Sequence, residues 1–257
     1  MKARLLEPLL VLLLSIAAAP ALAACDRSTL KIAVDVGHTP KQPGAISARG
    51  KPEYRFNRQL ARRVAEELRQ AGFEQLIDTN PDQAELALLE RSERANRAGA
   101  SLFLSIHHDS AQPQLLSEWT VDGRTWRYTD DIAGHSLFVS ERNGDPAGSL
   151  RLARLIGNRL RAQCLTPSLH HAAPIPGEGR TLLDPALGIY RFDELAVLRS
   201  TQMAAVLIEA GVIVNREEEL LLRSAERQTV LAQAIAQAVV DHCEAATPAL
   251  EPATHCR

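Results

Sequence analysis

Aromatic residues make up only 4% of the 257-residue chain. So few rings argue against a surface that stacks nucleic-acid bases. Excess charge of one sign is missing too. The net charge is −2 at pH 7, which offers no basic footprint for a polyanion, and no nucleic-acid partner is expected. The apolar run at residues 9–19 is too short to span a bilayer comfortably. No internal repeat and no dividing linker is visible, so one large domain is expected. What is present is ordinary for a globular chain: 46% apolar and 23% charged residues, enough for a sizeable core.

The first segment reads as an export signal. Lys2 and Arg4 precede the apolar run, Pro20 breaks it, and Ala21-Leu22-Ala23 fits a small-x-small cleavage site. Residues 1–23 are therefore assigned as a signal peptide, residues 24–245 as the folded domain and residues 246–257 as a loose tail. An exported, periplasmic protein is expected. Leu22-Ala23-Ala24-Cys25 also fits a lipobox, which would make Cys25 a lipidated first residue and the membrane a partner. Against that anchor, only residues 26–29 separate Cys25 from the first strand.

Four cysteines can pair in three ways, and an exported compartment permits disulfides. Cys25 precedes the first strand, and Cys243 ends the last helix, which should run back to the same rim. A Cys25–Cys243 bridge would staple these ends together and leave Cys164 with Cys256. Bridge and lipid both need the Cys25 sulfur, so they exclude each other.

The chemistry gathers around residues 31–38, KIAVDVGH. An apolar strand that stops at Gly37-His38 presents an imidazole at the C-terminal rim of a sheet, where open α/β folds build their sites. SLFLSIH at residues 101–107 repeats the construction with His107. A third apolar strand, residues 205–210, carries Glu209. Taken singly, each polar residue equally well marks a strand meeting solvent. Taken together, two imidazoles and a carboxylate suggest a metal. Glu53 opens a helix with Phe56, Leu60, Val64 and Leu68 at helical spacing and Gly72 as its C-terminal cap. That helix must pack back along the sheet, which puts Glu53 beside His38. An acid in a first helical turn has a blander explanation in the helix dipole.

His107 and His108 are adjacent and should point to opposite faces, so His108 is expected at the rim, toward substrate or solvent. A helix is expected over residues 84–98 and a short strand over 195–198. Trp119 and Trp126 belong to a hairpin or excursion at the rim, lining a groove or packed under a loop. Residues 166–187 are irregular and Pro-rich and hold His170, His171 and Glu178. Such a stretch between site strands suits a lid or a regulatory insertion. Asn215 followed by Glu218 fits a capping box, with residues 217–219 as a solvated first turn. The expected fold is a single α/β domain: an open, mostly parallel twisted sheet, helices on both faces, and a metal site at the C-terminal rim of the strands.

These residues resemble the zinc-dependent N-acetylmuramoyl-L-alanine amidases that cleave bacterial peptidoglycan. Four matches carry the likeness over about residues 30–240: VDVGH, the helix start at Glu53, SLFLSIHHDS and VLIEAGVIVNREEE. The resemblance implies one Zn²⁺ per chain held by His38, Glu53 and His107, with Glu209 as the catalytic carboxylate. It implies peptidoglycan as substrate, cut between N-acetylmuramic acid and L-alanine. It also implies a protein activator that moves a cover over the metal, with His170, His171 or Glu178 as the covering residue. The usual His-Gly-Gly is here His38-Thr39-Pro40, which stiffens the loop beside the first ligand. Two rival readings share the fold. A zinc carboxypeptidase on cell-wall peptides would need a carboxylate-binding cation, for which Arg91, Arg180 and Arg191 are candidates. A non-catalytic envelope binding module would need none of this chemistry.

Overall fold

The computed structural model describes residues 25–244. The expected signal peptide, the tail after residue 245 and Cys256 lie outside the described residues. The elements run β1 (Ile32–Val36), α1 (Glu53–Gln70), β2 (Leu76–Asp78), α2 (Leu88–Ala98), β3 (Leu102–Asp109), β4 (Ser117–Val121), β5 (Arg124–Tyr128) and β6 (Ser136–Val139). They continue with α3 (Pro146–Ala162), β7 (Thr181–Asp184), β8 (Ile189–Arg191), α4 (Ala196–Ser200), β9 (Ala204–Val212), α5 (Arg216–Arg223) and α6 (Ala225–Cys243).

Seven strands form one sheet in the order β2-β1-β3-β9-β6-β8-β7. The site-bearing strands β1, β3 and β9 are mutually parallel neighbours, whereas β6 joins β9 and β7 joins β8 antiparallel. The central strands read as continuous apolar runs because both their faces are covered. Ile32, Val34, Leu104, Ile106, Val206 and Ile208 face one way, into a core built with Leu60, Val64, Ile156 and Ile235 from α1, α3 and α6. Ala33, Phe103, Ala205 and Leu207 face the other way, into a thinner core closed by Ala95, Leu198 and Tyr190. Each fully buried Leu, Ile or Val contributes roughly 1.5–3 kcal/mol relative to exposure. The mostly parallel α/β sheet with helices on both faces is as the sequence led one to expect.

Several local expectations fail, each for a physical reason. The second helix starts at Leu88, not residue 84, because the Asn80 side chain brackets Ala84 and holds a turn there, donating to its carbonyl at 2.9 Å and accepting from its amide at 3.0 Å. Residues 195–198 are not a strand. They lead into the single turn α4, which buries Leu198 and is closed by the Ser200 hydroxyl donating to Ala196 O at 2.6 Å. Four residues are too few for a period to show. The stretch taken as irregular contains β7, and β8 follows directly.

Of residues 217–219, all in the first turn of α5, Glu217 is solvated as expected, but Glu218 and Glu219 are buried. Asn215 caps α5 by accepting from Glu217 N at 3.1 Å and Glu218 N at 2.9 Å. Glu218 does not return the bond. It accepts instead from Val212 N at 2.9 Å and Gly134 N at 3.0 Å. Glu219 is fully buried, accepting from Ser47 Oγ at 2.8 Å and Arg49 Nη1 at 2.9 Å.

Cys25 and Cys243 are disulfide-bonded, with Cα atoms 5.1 Å apart. This bridge occupies the Cys25 sulfur that lipidation would require. Cys164 is also disulfide-bonded. No helix among the described residues is long and apolar enough to cross a membrane.

Candidate active site

The parallel register places the site. β3 pairs with β9 so that His107 lies opposite Glu209. The ladder then shifts between His107 and Asp109, an irregularity of the kind that re-aims side chains at strand ends. β1 runs one residue further as Gly37 N donates to Ile106 O at 2.9 Å. His38 then turns the chain away at φ +67°, uncommon for a residue with a side chain. Gly37 has to be glycine, because a Cβ there would lie 2.4 Å from the His107 ring.

Glu53 enters from the first turn of α1 and lies between the two imidazoles. Its Oε2 is 3.0 Å from His38 Nε2, and its Oε1 is 3.1 Å from His107 Nδ1. Burial opposes the charged form of Glu53. Hydrogen bonds and charge from His107 and His38 outweigh that and hold the carboxyl well below its ordinary range. One ligand atom from each of His38, Glu53 and His107 fits within a 4.8 Å cluster. Two imidazoles and a carboxylate are the donor set of an open zinc site, so these residues fit the ion.

Glu209 stands beside this cluster with a different electrostatic character. The residue is half-buried, its Oε2 is buried, and among the described residues that oxygen has no hydrogen-bond partner. Burial first, then the charges of Asp109 and Glu53, push its pKa well above the ordinary carboxylate value. A carboxyl with a raised pKa is suited to taking up and giving back a proton.

His108 is not at the rim. It is buried, its Nδ1 lies 2.8 Å from Asn57 Oδ1, and burial lowers its pKa to about 3. Asn57 is the residue that sequence reasoning missed. It sits one helical turn after Glu53, and its Nδ2 donates to Glu53 Oε1 at 2.9 Å and Gly37 O at 3.2 Å. A buried amide on an otherwise apolar helix face, four residues from a ligand, was the available signal.

His170, His171 and Glu178 do come to the site region, where His170 and His171 face Asp109 and His171 and Glu178 share a cleft with Glu209. Among the described residues none of them is bonded to His38, Glu53 or His107. His171 Nε2 lies 2.7 Å from Asp109 Oδ2, and its Nδ1 lies 2.9 Å from Glu178 Oε2. His171, Glu178, Phe138, Leu207 and Glu209 line one small cleft.

Of the three arginines, Arg91 is buried against Asp35 and cannot reach a substrate carboxylate. Arg191 is paired with Glu141 at 2.9 Å. Arg180 lies over the Phe192 ring at 3.9 Å, in the wall of the cleft. The expected hairpin is β4–β5, and its tryptophans are packed down. Trp119 Nε1 donates to Ala48 O at 2.7 Å, and Trp126 lies against Gly50.

The arrangement of elements is similar to that of known proteins. The probable N-acetylmuramoyl-L-alanine amidase AmiB of Haemophilus influenzae is 28% identical over 237 residues, covering 82% of this chain and 51% of that protein. AmiA of Escherichia coli, an N-acetylmuramoyl-L-alanine amidase, is 26% identical over 218 residues, covering 82% of this chain and 75% of AmiA. The chain thus spans about half the length of the first and three-quarters of the second. Among solved structures, the catalytic domain of the amidase CwlV from Bacillus (Paenibacillus) polymyxa matches with a TM-score of 0.62 at 25% identity, covering 82% of this chain and 97% of that domain. The family model for N-acetylmuramoyl-L-alanine amidase matches residues 32–241, from the first strand to the last helix and across all four expected site residues, and the chain belongs to that family.

Proposed function

We propose that this chain hydrolyses the amide between N-acetylmuramic acid and the L-alanine of the peptidoglycan stem peptide, with one Zn²⁺ held by His38, Glu53 and His107. The observation that carries the reading is the pairing of that three-residue cluster with Glu209 in register beside it. When bound, the ion supplies a Lewis acid that polarises the scissile carbonyl and acidifies water. Glu53, kept ionised between two imidazoles, supplies negative charge to the site. Asn57 fixes the Glu53 carboxylate and the Gly37 carbonyl together, which sets the separation of β1 from the helix. Glu209 takes the proton of the attacking water at its unpartnered oxygen and returns it to the leaving L-alanine nitrogen.

Residues 1–23 direct export, and the Cys25–Cys243 bridge is consistent with an oxidising compartment such as the periplasm. Residues 166–187 form a wall of the cleft beside Glu209, where a protein partner would reach them.

The test is digestion of purified sacculi by the mature protein and by Glu209→Gln, with and without a chelator, and products identified by mass. Free stem peptides from the wild type alone, abolished by chelator, are expected. Cleavage within the stem peptide, or a Glu209→Gln enzyme of full activity, would sink the reading.

A further inference from the structure

A second constellation of ligand type lies outside the cluster at the helix start. Asp109 from the end of β3 faces His170 and His171, which sit in a short 3-10 turn at His170–Ala172. Ligand atoms from all three lie within 4.8 Å of one another. Both imidazoles are oriented from behind. His171 Nδ1 is 2.9 Å from Glu178 Oε2, and His170 Nδ1 is 2.8 Å from Ser168 Oγ. Both then turn Nε2 toward the same oxygen, Asp109 Oδ2, at 2.7 Å for His171 and 3.6 Å for His170.

The His170 nitrogen is the telling atom. Its side chain is only 6% exposed, and among the described residues its Nε2 makes no hydrogen bond, only the long contact to Asp109 Oδ2 at 3.6 Å. A buried imidazole nitrogen left unpaired costs free energy and asks for an explanation. A clasp between the turn and β3 accounts for His171 and Glu178, and leaves His170 Nε2 with no closer acid than Asp109 Oδ2 at 3.6 Å. A cation accounts for all of them. Ligating histidines characteristically have the other ring nitrogen held by a carboxylate or similar acceptor, which is the role of Glu178 and Ser168 here.

The spacing agrees. Ligand lengths of about 2.0–2.2 Å in a tetrahedral site place donor atoms roughly 3.3 Å apart. The His170 contact at 3.6 Å is already close to that, and the His171 contact at 2.7 Å would have to open by about 0.6 Å.

We propose that Asp109, His170 and His171 form a second site for a divalent transition-metal ion of the zinc class, separate from the His38–Glu53–His107 cluster. Two imidazoles and one carboxylate select such ions over calcium or magnesium, which prefer all-oxygen shells. The ion clips the 3-10 turn of residues 170–172 onto β3 two residues beyond His107, and so fixes the wall of the cleft that holds Glu209. This assignment does not rest on the proposed amidase activity, because its test counts metal rather than product.

The test is metal content by inductively coupled plasma mass spectrometry of the mature, oxidised protein after equilibration with buffered zinc. Wild type, Glu53→Ala, His170→Ala and the double variant are compared. About two zinc ions per chain are expected for the wild type, about one for each single variant and none for the double. Cobalt added to Glu53→Ala should give visible d–d absorption that disappears when His170→Ala is added. Glu53→Ala protein that binds no metal overturns the proposal even where His170→Ala fails to fold. A wild type with one ion, lost in Glu53→Ala and kept in His170→Ala, overturns it equally and leaves the amidase reading intact.

Discussion

Arg91→Met tests how the first metal cluster is held. The guanidinium is 3% exposed and reaches across from α2 to the end of β1. Its Nη1 donates to Asp35 Oδ1 at 2.9 Å and to Val36 O, and its Nη2 donates to His38 O at 2.6 Å. The same arginine thus neutralises a buried acid and pins the two carbonyls that flank Gly37. Removing it leaves Asp35 with only the Thr79 and Ser105 hydroxyls. Breaking a buried pair from one side costs about 3–5 kcal/mol. For a chain of this size that lowers Tm by roughly 6–20 °C. A second effect is independent of the first. His38 holds φ at +67°, a conformation costing roughly 1–3 kcal/mol that persists only where its surroundings enforce it. Without the bond to its carbonyl, His38 relaxes and its imidazole leaves the cluster. Zinc affinity should fall about 10–100-fold, as for the loss of other supporting contacts at metal sites. The two effects separate in Asp35→Asn/Arg91→Met, where no buried charge is left unpaired. Tm should recover by a few degrees, and zinc affinity should not recover. Thermal melts and chelator competition, run in the His170→Ala background so that only the His38 cluster is read, measure both. Zinc affinity that returns together with Tm would refute the carbonyl clamp.

Gly37→Ala places a methyl 2.4 Å from the His107 ring, so zinc affinity should drop at least about 10-fold while the far-UV circular dichroism is kept. Unchanged metal binding in a titration would contradict the packing described. Cys25→Ser/Cys243→Ser opens a loop with a sequence separation of 218 residues. The chain-entropy relation gives a loss of about 5 kcal/mol, or roughly 10–20 °C in Tm; a change under about 3 °C would show that the bridge stabilises by little. His135 is buried, and burial, only partly offset by the nearby Leu187 and Thr166 backbone, lowers its pKa from 6.5 to about 4. The unfolded chain binds a proton between those values that the folded chain refuses, so stability is full above about pH 6.5 and falls as pH drops toward about 4, by roughly 3 kcal/mol. His135→Phe should flatten that part of the urea-denaturation profile, and an unchanged slope would exclude His135 as its source.

The first cluster was legible because its parts obey local rules. His38 and His107 end apolar strands, Glu53 opens a periodic helix, and the topology of parallel strands with returning helices leaves these ends nowhere else to meet. The residues that hold those side chains in place were not legible. Asn57 reads as an ordinary polar position in a helix until its partners Glu53, Gly37 and His108 are assembled around it. Arg91 was a candidate for binding a substrate and is instead buried between α2 and β1, a contact spanning 56 residues of sequence. Glu219 looked like a dipole-matched surface acid, and only the distant Ser47 and Arg49 explain its burial. His170 and His171 drew notice as histidines in a loop, while their common acid, Asp109, was hidden in the run after His107. Beyond β9, the strands β7 and β8 were missed because such short strands are decided by pairing rather than by their own pattern.

The Cys25–Cys243 bond makes the backbone between those residues a closed ring. A ring cut once stays in one piece. A protease that nicks an exposed stretch of the cleft wall, such as the Pro- and Gly-containing residues 174–180, would open the ring without releasing either half. The fragments would run together on a non-reducing gel and separate only after thiol treatment. The folded chain therefore tolerates a single cut in a way that a linear chain of the same fold does not, and damage to the cleft wall need not cost the rest of the molecule.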